Sequence, residues 1–261
     1  MSGAPDPVVH AAPRFLPADV RAGWRQLQSS PPRAPVDRGV LSALPDPIRR
    51  WVRHTIGARE HVPSVVRLDM HGAIKLGRWQ PFSAQQVLTE RGFIWAATAG
   101  RFPLRISGYD RYTAGTGQMR WKLFGVLPVM AAAGPDIDRS AAARHAGETM
   151  VLPGGALADT VEWQPGDHHH ATATVTDGWY THHVTVEIDD HGALRSVTLP
   201  RWGNPDKGPY AEHTFGVELG EERPFDGYLM PTRWRAGWWF GEDRWSEGEF
   251  FRATIDAATL A

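Results

Sequence analysis

The most restrictive feature of the sequence is a change of hydrophobic period near Val62. In VVRLDMHGAIKLG (65–77), Val66, Leu68, Met70, Ile74 and Leu76 alternate with Arg67, Asp69, His71 and Lys75. A period of two sends alternate side chains to opposite faces, which is the pattern of a half-buried strand. Gly72 is the expected bulge or bend. Comparable segments follow at 93–99, 103–112, 118–126, 171–176, 183–189, 193–199, 212–219, 228–240 and 249–255, punctuated by AGTG, DG, DHG and GEDR turns. Successive strands joined by short turns imply antiparallel pairing. The expected fold is therefore mainly β (α+β): a curved antiparallel meander or half-barrel packed on a few helices.

Helical signals are few. LPDPIRRWVRHTIG (44–57) has Asp46 as a cap, Pro47 in its first turn, Gly57 at its end and one apolar stripe of Ile48, Trp51, Val52 and Ile56. FSAQQVL (82–88) has capping-box spacing between Ser83 and Gln86 and is expected to be a short helix. The Ala-rich stretch GPDIDRSAAARHAGETM (134–150) reads as one helix ending before Pro153. Residues 1–40 form a Pro/Ala/Arg-rich tail with a short helix at 17–28 and a linker, SSPPRAP, after it. Residues 41–261 are expected to form a single domain with flanking helices.

Composition removes several functions. There is no cysteine, which excludes disulfides, thiolate metal ligands, iron–sulfur clusters and a cysteine nucleophile. A net charge of −1 argues against a surface built for nucleic acid. The N-terminus lacks a basic start followed by an apolar run, and no stretch approaches the ~20 apolar residues of a membrane span. A soluble, cytoplasmic protein is the expectation.

Five histidines crowd into 167–189: His168, His169, His170, His182 and His183. If Asp177-Gly178 is a two-residue turn, Ala171 pairs with Val184, Ala173 with His182, and Val175 with Tyr180. His169 and His182 then share a face but stand roughly 13 Å apart, at ~3.3 Å per residue. His168, His170 and His183 fall on the wet face. Catalytic zinc needs three ligands and an open position, so no metal or other cofactor is expected here.

The same parity argument is more productive at 104–123. A four-residue AGTG loop places Leu104, Ile106, Gly108, Asp110 and Tyr112 on one face with Met119, Trp121 and Leu123, and sets Asp110 opposite Trp121. An inward carboxylate must be paired, hydrogen-bonded or protonated. In the C-terminal hairpin, Tyr228, Met230, Trp234, Ala236, Trp238 and Phe240 face Phe251, Ala253 and Ile255, with Glu249 on the same side. Arg139, Arg144 and Arg201 are candidate cations, and Arg144 is spaced to pair with Glu148. Either these are structural ion pairs sealing a helix to a sheet, or they form the polar end of an aromatic-lined cavity.

LPDPIRRWVRH, HGAIKLGRWQPFSAQQVL, ISGYDRY, MRWKLFGVLPV, GPDIDRSAAARHAGE, RWGNP and FDGYLMPTRWRAGWWFG resemble a domain-of-unknown-function family of high-GC bacteria, over roughly 44–257. That resemblance implies no reaction and no catalytic residue. More loosely, the meander and the DGYLMPT phrase are similar to lipoprotein carriers of the LolA and LppX type, which implies a half-barrel that holds acyl chains. Three functions stay open. One is a protein binding a small hydrophobic or acyl ligand, and a second is an enzyme using Asp110 or Glu249 as acid or base. The third is an interaction module using the Gly237–Trp239 segment.

Overall fold

The computed structural model describes residues 11–29, 36, 38–59, 61–152 and 154–261. The elements are, in order, α1 (Ala18–Gln28), α2 (Arg38–Ala43), α3 (Asp46–Ile56), β1 (Val65–Leu76), β2 (Arg78–Thr89), β3 (Gly92–Ala99), β4 (Ile106–Thr113), β5 (Thr116–Leu123), β6 (Leu127–Ala133) and α4 (Pro135–Thr149). There follow a 3₁₀ turn at Gly155–Leu157, then β7 (Val161–Pro165), β8 (His170–Thr176), β9 (Thr181–Ile188), β10 (Leu194–Gly203), β11 (Ala211–Phe225), β12 (Tyr228–Trp238), α5 (Trp245–Gly248) and β13 (Glu249–Leu260). The linker expected at 29–35 lies almost wholly outside the described residues.

All thirteen strands form one curved antiparallel sheet, ordered β6-β5-β4-β3-β2-β1-β13-β12-β11-β10-β9-β8-β7. Two meanders thus meet where β1 pairs with β13. Helix α4 connects the two outer strands, β6 and β7, and packs against both β5 and β10 in the hollow of the sheet. Its alanines explain how: Ala142, Ala143 and Ala146 are buried, and small side chains let the helix backbone approach the strands closely. A Cβ on Gly117 in β5 would sit 2.7 Å from the Ile137 carbonyl oxygen of α4. Helix α3 covers β8, β9 and β12 with Ile48, Trp51, Val52 and Ile56. Helix α1 packs on β2 and β3, where Val20, Trp24 and Leu27 form a second small core with Val87, Ile94 and Ala96.

Several expectations are corrected. FSAQQVL is not a helix but part of β2, hydrogen-bonded to β1 and β3 on its two sides. Its Ala and Gln are good helix formers, but propensity is a weak bias that pairing with two neighbouring strands overrides. Asp46 does not cap α3; Pro45 holds the cap position, and Asp46 pairs with Arg49 and Arg50 instead. Gly72 is not the bulge, which lies between Asp69 and Met70. A Cβ on Gly72 would fall 1.9 Å from the Arg252 carbonyl oxygen, so close strand approach requires glycine there.

Two hairpin registers differ from expectation by two residues each. The β4–β5 turn is Ala114-Gly115, with Thr113 opposite Thr116, not the four-residue AGTG. Ala114 and Gly115 have φ of 49° and 75°, the left-handed pair of a two-residue type I′ turn. Conversely, the β8–β9 loop has four residues, with Thr176 opposite Thr181. The Asp177 carboxylate accepts bonds from the Trp179 and Tyr180 amides at 2.9 and 2.8 Å and builds that loop. A slip of two leaves every side chain on its own face. Ala173 therefore meets Val184 and Val175 meets His182 with the buried set intact.

Candidate ligand cavity

Between α4 and the concave face of the sheet lies a cavity of about 310 Å³. Its apolar wall includes Met70, Ile74, Trp95, Val197, Leu199, Phe215, Trp234, Trp238, Phe250 and Phe251. Parity of the strands aims these side chains inward, except Phe250, which a bulge brings to the wall beside Phe251. The polar wall is short: Gln86, Asp110, Ser140, Arg144, Glu148, Arg201 and Asn204.

Most of that polar wall is saturated. Arg144 donates from Nη1 to Asp110 Oδ2 at 3.0 Å and from Nε to Glu148 Oε1 at 2.7 Å. The Trp121 indole donates to Asp110 Oδ1 at 3.0 Å, and Gln86 donates to Glu148 Oε2 at 2.5 Å. The Arg144 guanidinium also lies 4.5 Å over the Phe93 ring. Burial raises the Asp110 carboxyl above its ordinary value, against the opposing pull of Arg144 and the Trp121 bond. For Arg144, burial disfavours the charge, but Glu148 and Asp110 outweigh it and the guanidinium pKa is raised. This network ties α4 to β2, β4 and β5.

Arg201 differs. From β10 its Nε donates to the Ser140 carbonyl at 3.2 Å and to the Ser140 hydroxyl at 3.3 Å, and its guanidinium lies over Phe215 at 4.6 Å and Trp238 at 5.2 Å. No carboxylate makes an ion pair with it among the described residues. Burial first, and then the neighbouring Arg144 charge, lower its pKa to about 10. The cavity thus joins an aromatic wall to one guanidinium lacking a close counter-charge.

Residues 34–250 match the family of unknown function DUF6544. The chain belongs to that family. No curated protein matches it. Among solved structures, a LolA superfamily protein from Nitrosomonas europaea is similar over 82% of this chain and 92% of that one, at 10% identity and a TM-score of 0.43. A putative outer membrane lipoprotein-sorting protein domain from Vibrio parahaemolyticus is similar over 76% and 85%, at 8% identity and a TM-score of 0.41. No helix among the described residues of this DUF6544 member is long and apolar enough to cross a membrane.

Of the residues singled out from sequence, the cavity gathers Asp110, Arg144, Glu148, Arg201, Trp234 and Trp238, with Trp121 holding Asp110 from behind. Three fall elsewhere. Tyr112 is buried beside His145 and donates its hydroxyl to Asp177. Arg139 pairs with Glu212 at 2.5 Å and covers Trp202. Glu249 does not share the inward face: a bulge at Phe250 turns it outward between Arg235 and Arg252, at 2.8 and 2.6 Å. The Arg252 bonds, with those of Arg235, hold its pKa down at about 2, so it stays ionised and does not serve as an acid. Sequence reasoning missed Gln86, because it assigned that segment to a helix, and Trp95, whose buried indole N–H has no acceptor. It also missed Phe250, which the bulge brings to the wall beside Phe251.

The histidine cluster lies apart from the cavity. His168, His169 and Asp190 bring one potential ligand atom each within 4.8 Å of one another, with His168 Nε2 at 3.3 Å from Asp190 Oδ1. Register reasoning kept His169 away from His182 but overlooked Asp190, which the β9–β10 turn supplies. His170 stands opposite Glu187.

Proposed function

We propose that this DUF6544 protein binds a small acyl ligand in the cavity beneath α4, with the chain of the ligand against the aromatic wall and an acidic head at Arg201. One observation carries the reading: Arg201 is half-buried in an apolar wall and, among the described residues, lacks the bonded carboxylate that Arg144 has twice over. A buried cation is costly, and an anion brought by a ligand offsets that cost. A single negative charge fits best, because Asp110 and Glu148 stand close enough to repel a second. At about 30 Å³ per water-sized group, a 310 Å³ cavity accommodates a chain of about ten carbons.

The acid–base alternative has less support. Both Asp110 oxygens accept bonds from groups that are themselves buried, and Glu249 faces away.

The test is titration of the protein with decanoate and with decanol, followed by tryptophan fluorescence. A charged hydrogen bond is worth about 1.5–3 kcal/mol, so decanoate is expected to bind roughly 10–100-fold tighter than decanol. Arg201→Met is expected to erase that difference and leave decanol binding in place. Equal binding of both ligands to the wild type would leave the cavity reading intact and remove the acidic head; no binding of either would remove both.

A further inference from the structure

The hairpin ends beside β6 break the usual rule that large apolar side chains are scattered over a surface. Loop 100–105, between β3 and β4, carries Phe102 at 85% exposure and Leu104 at 63%. The β5–β6 turn carries Phe124 at 56% and Val126 at 75%, and β6 continues with exposed Leu127 and Val129. A bond from the Phe124 amide to the Arg105 carbonyl, at 3.1 Å, ties the two loops together. Because β3 and β5 run in the same direction, both loops project from one end of this half of the sheet. Contiguous exposed apolar surface of this kind marks an interaction site.

The charges around it have one sign. Arg101, Arg105, Arg120 and Lys122 are exposed there, and Asp110, which points into the cavity, is the only acidic residue between Glu90 and Asp136. No carboxylate pairs with Arg101, Arg105 or Lys122 among the described residues. Apolar tips rimmed by cations fit the interface of an anionic bilayer, where the rings enter the acyl boundary and the basic groups meet lipid phosphates.

Two further details favour lipid over an added protein strand. The free edge of β6 contains Pro128, and a bulge interrupts its pairing with β5, two devices that obstruct strand addition. Phe124 also occupies a left-handed position, φ 53°, followed by Gly125 at 74°. That type I′ turn is ordinarily served by Asn-Gly, and a bulky aromatic there carries backbone strain. The fold keeps an aromatic ring at the outermost point of the hairpin against local preference.

We propose that the 100–105 loop and the 124–130 hairpin dock the protein on anionic membrane surfaces. This does not depend on what the cavity holds.

The test is flotation of the full chain with vesicles of phosphatidylcholine alone and of phosphatidylcholine with about a quarter phosphatidylglycerol. The protein is expected to float with the anionic vesicles and to be released as salt rises from about 0.1 M to about 0.5 M. Each basic side chain contributes roughly five-fold, so Arg101→Gln, Arg105→Gln and Lys122→Gln together lower partitioning by about 100-fold. Val126→Asp is expected to abolish it. Phe124→Asn separates docking from folding: it relieves the turn and raises the melting temperature, yet weakens vesicle binding by roughly ten-fold. Failure to float with anionic vesicles, or flotation unchanged by Val126→Asp and Phe124→Asn, overturns the proposal. So does a solution dimer, seen by light scattering, that Val126→Asp dissociates while vesicles leave the protein unbound.

Discussion

Arg144 and Arg201 line the same cavity, one on α4 and one on β10, and they have different surroundings. Arg144 is held by two carboxylates, each bonded in turn to Trp121 or Gln86. Arg201 has a serine and two aromatic rings. Both are half-buried, so both carry a desolvation cost, but among the described residues only Arg144 offsets it with bonded carboxylates. The contrast separates an arginine neutralised by bonded carboxylates from one that is not, and the proposed ligand head belongs to the second. Sequence spacing offers Arg144 a partner in Glu148 but says nothing of what Arg201 meets.

The contrast breaks most visibly at Arg144. Arg144→Met leaves Asp110 and Glu148 facing each other in the hollow without a cation. Loss of one partner from a buried pair costs about 3–5 kcal/mol, and denaturant unfolding is expected to show a loss of that size. Adding Asp110→Asn to the same chain removes one of the stranded charges and is expected to restore part of the loss. If Arg144→Met were nearly neutral, the network would not be the seal between α4 and the sheet.

An intermediate effect is expected on the outer face, where Glu249 sits between Arg235 and Arg252 with only 4% of its surface exposed. Its pKa is about 2 when folded against 4.5 in its ordinary state. A carboxyl with a lowered folded pKa stabilises in full above the unfolded value, and the contribution fades as pH falls from 4.5 toward 2. Because the two arginines are about half exposed, Glu249→Gln is expected to cost about 1–2 kcal/mol at neutral pH, below what the full shift corresponds to. The difference between the variant and the wild type should vanish by about pH 2 in acid titrations of stability.

What could be read in advance follows from which features depend on parity alone. The inward faces of β4 and β5 and of β8 and β9 were legible because slips of two residues, at Ala114-Gly115 and at Asp177–Tyr180, preserve them. Asp110 faces inward for that reason, while Arg144 and Glu148 on α4 pair as their i,i+4 spacing implies. A slip of one is fatal to the method: the single extra residue at Phe250 turned Glu249 to the other face, and no local pattern in EFFRATI announces it. The outermost strands were illegible for a different reason. In LPVMAAA neither face is covered, so burial imposes no alternation, and VEWQP is short and exposed along most of its length. In FSAQQVL the alternation of Phe82, Ala84, Gln86 and Leu88 was present but was outweighed by a capping-box match.

The smallest effect on stability is expected at Arg201, and it completes the comparison with Arg144. Arg201→Met removes a costly buried charge together with its contacts to Phe215 and Trp238, two terms of opposite sign. The net change is expected to be less than about 1 kcal/mol, against several for Arg144→Met. The pH dependence has a definite sign. A base whose folded pKa is lowered to about 10 destabilises the fold fully below about pH 10, and the penalty is relieved as pH rises from there toward the ordinary guanidinium value. Decanoate reverses the ranking. At a free concentration of about 100 times its dissociation constant, a ligand adds about 2.7 kcal/mol to the state that binds it. That gain should appear in the wild type and be largely absent from Arg201→Met. Decanol at the same free concentration stands at about 1–10 times its own dissociation constant, so its gain should be smaller, about 0.4–1.4 kcal/mol. A charge that costs stability alone and contributes it only with an anionic ligand present is a binding group, and thermal unfolding with and without decanoate measures both halves of that statement.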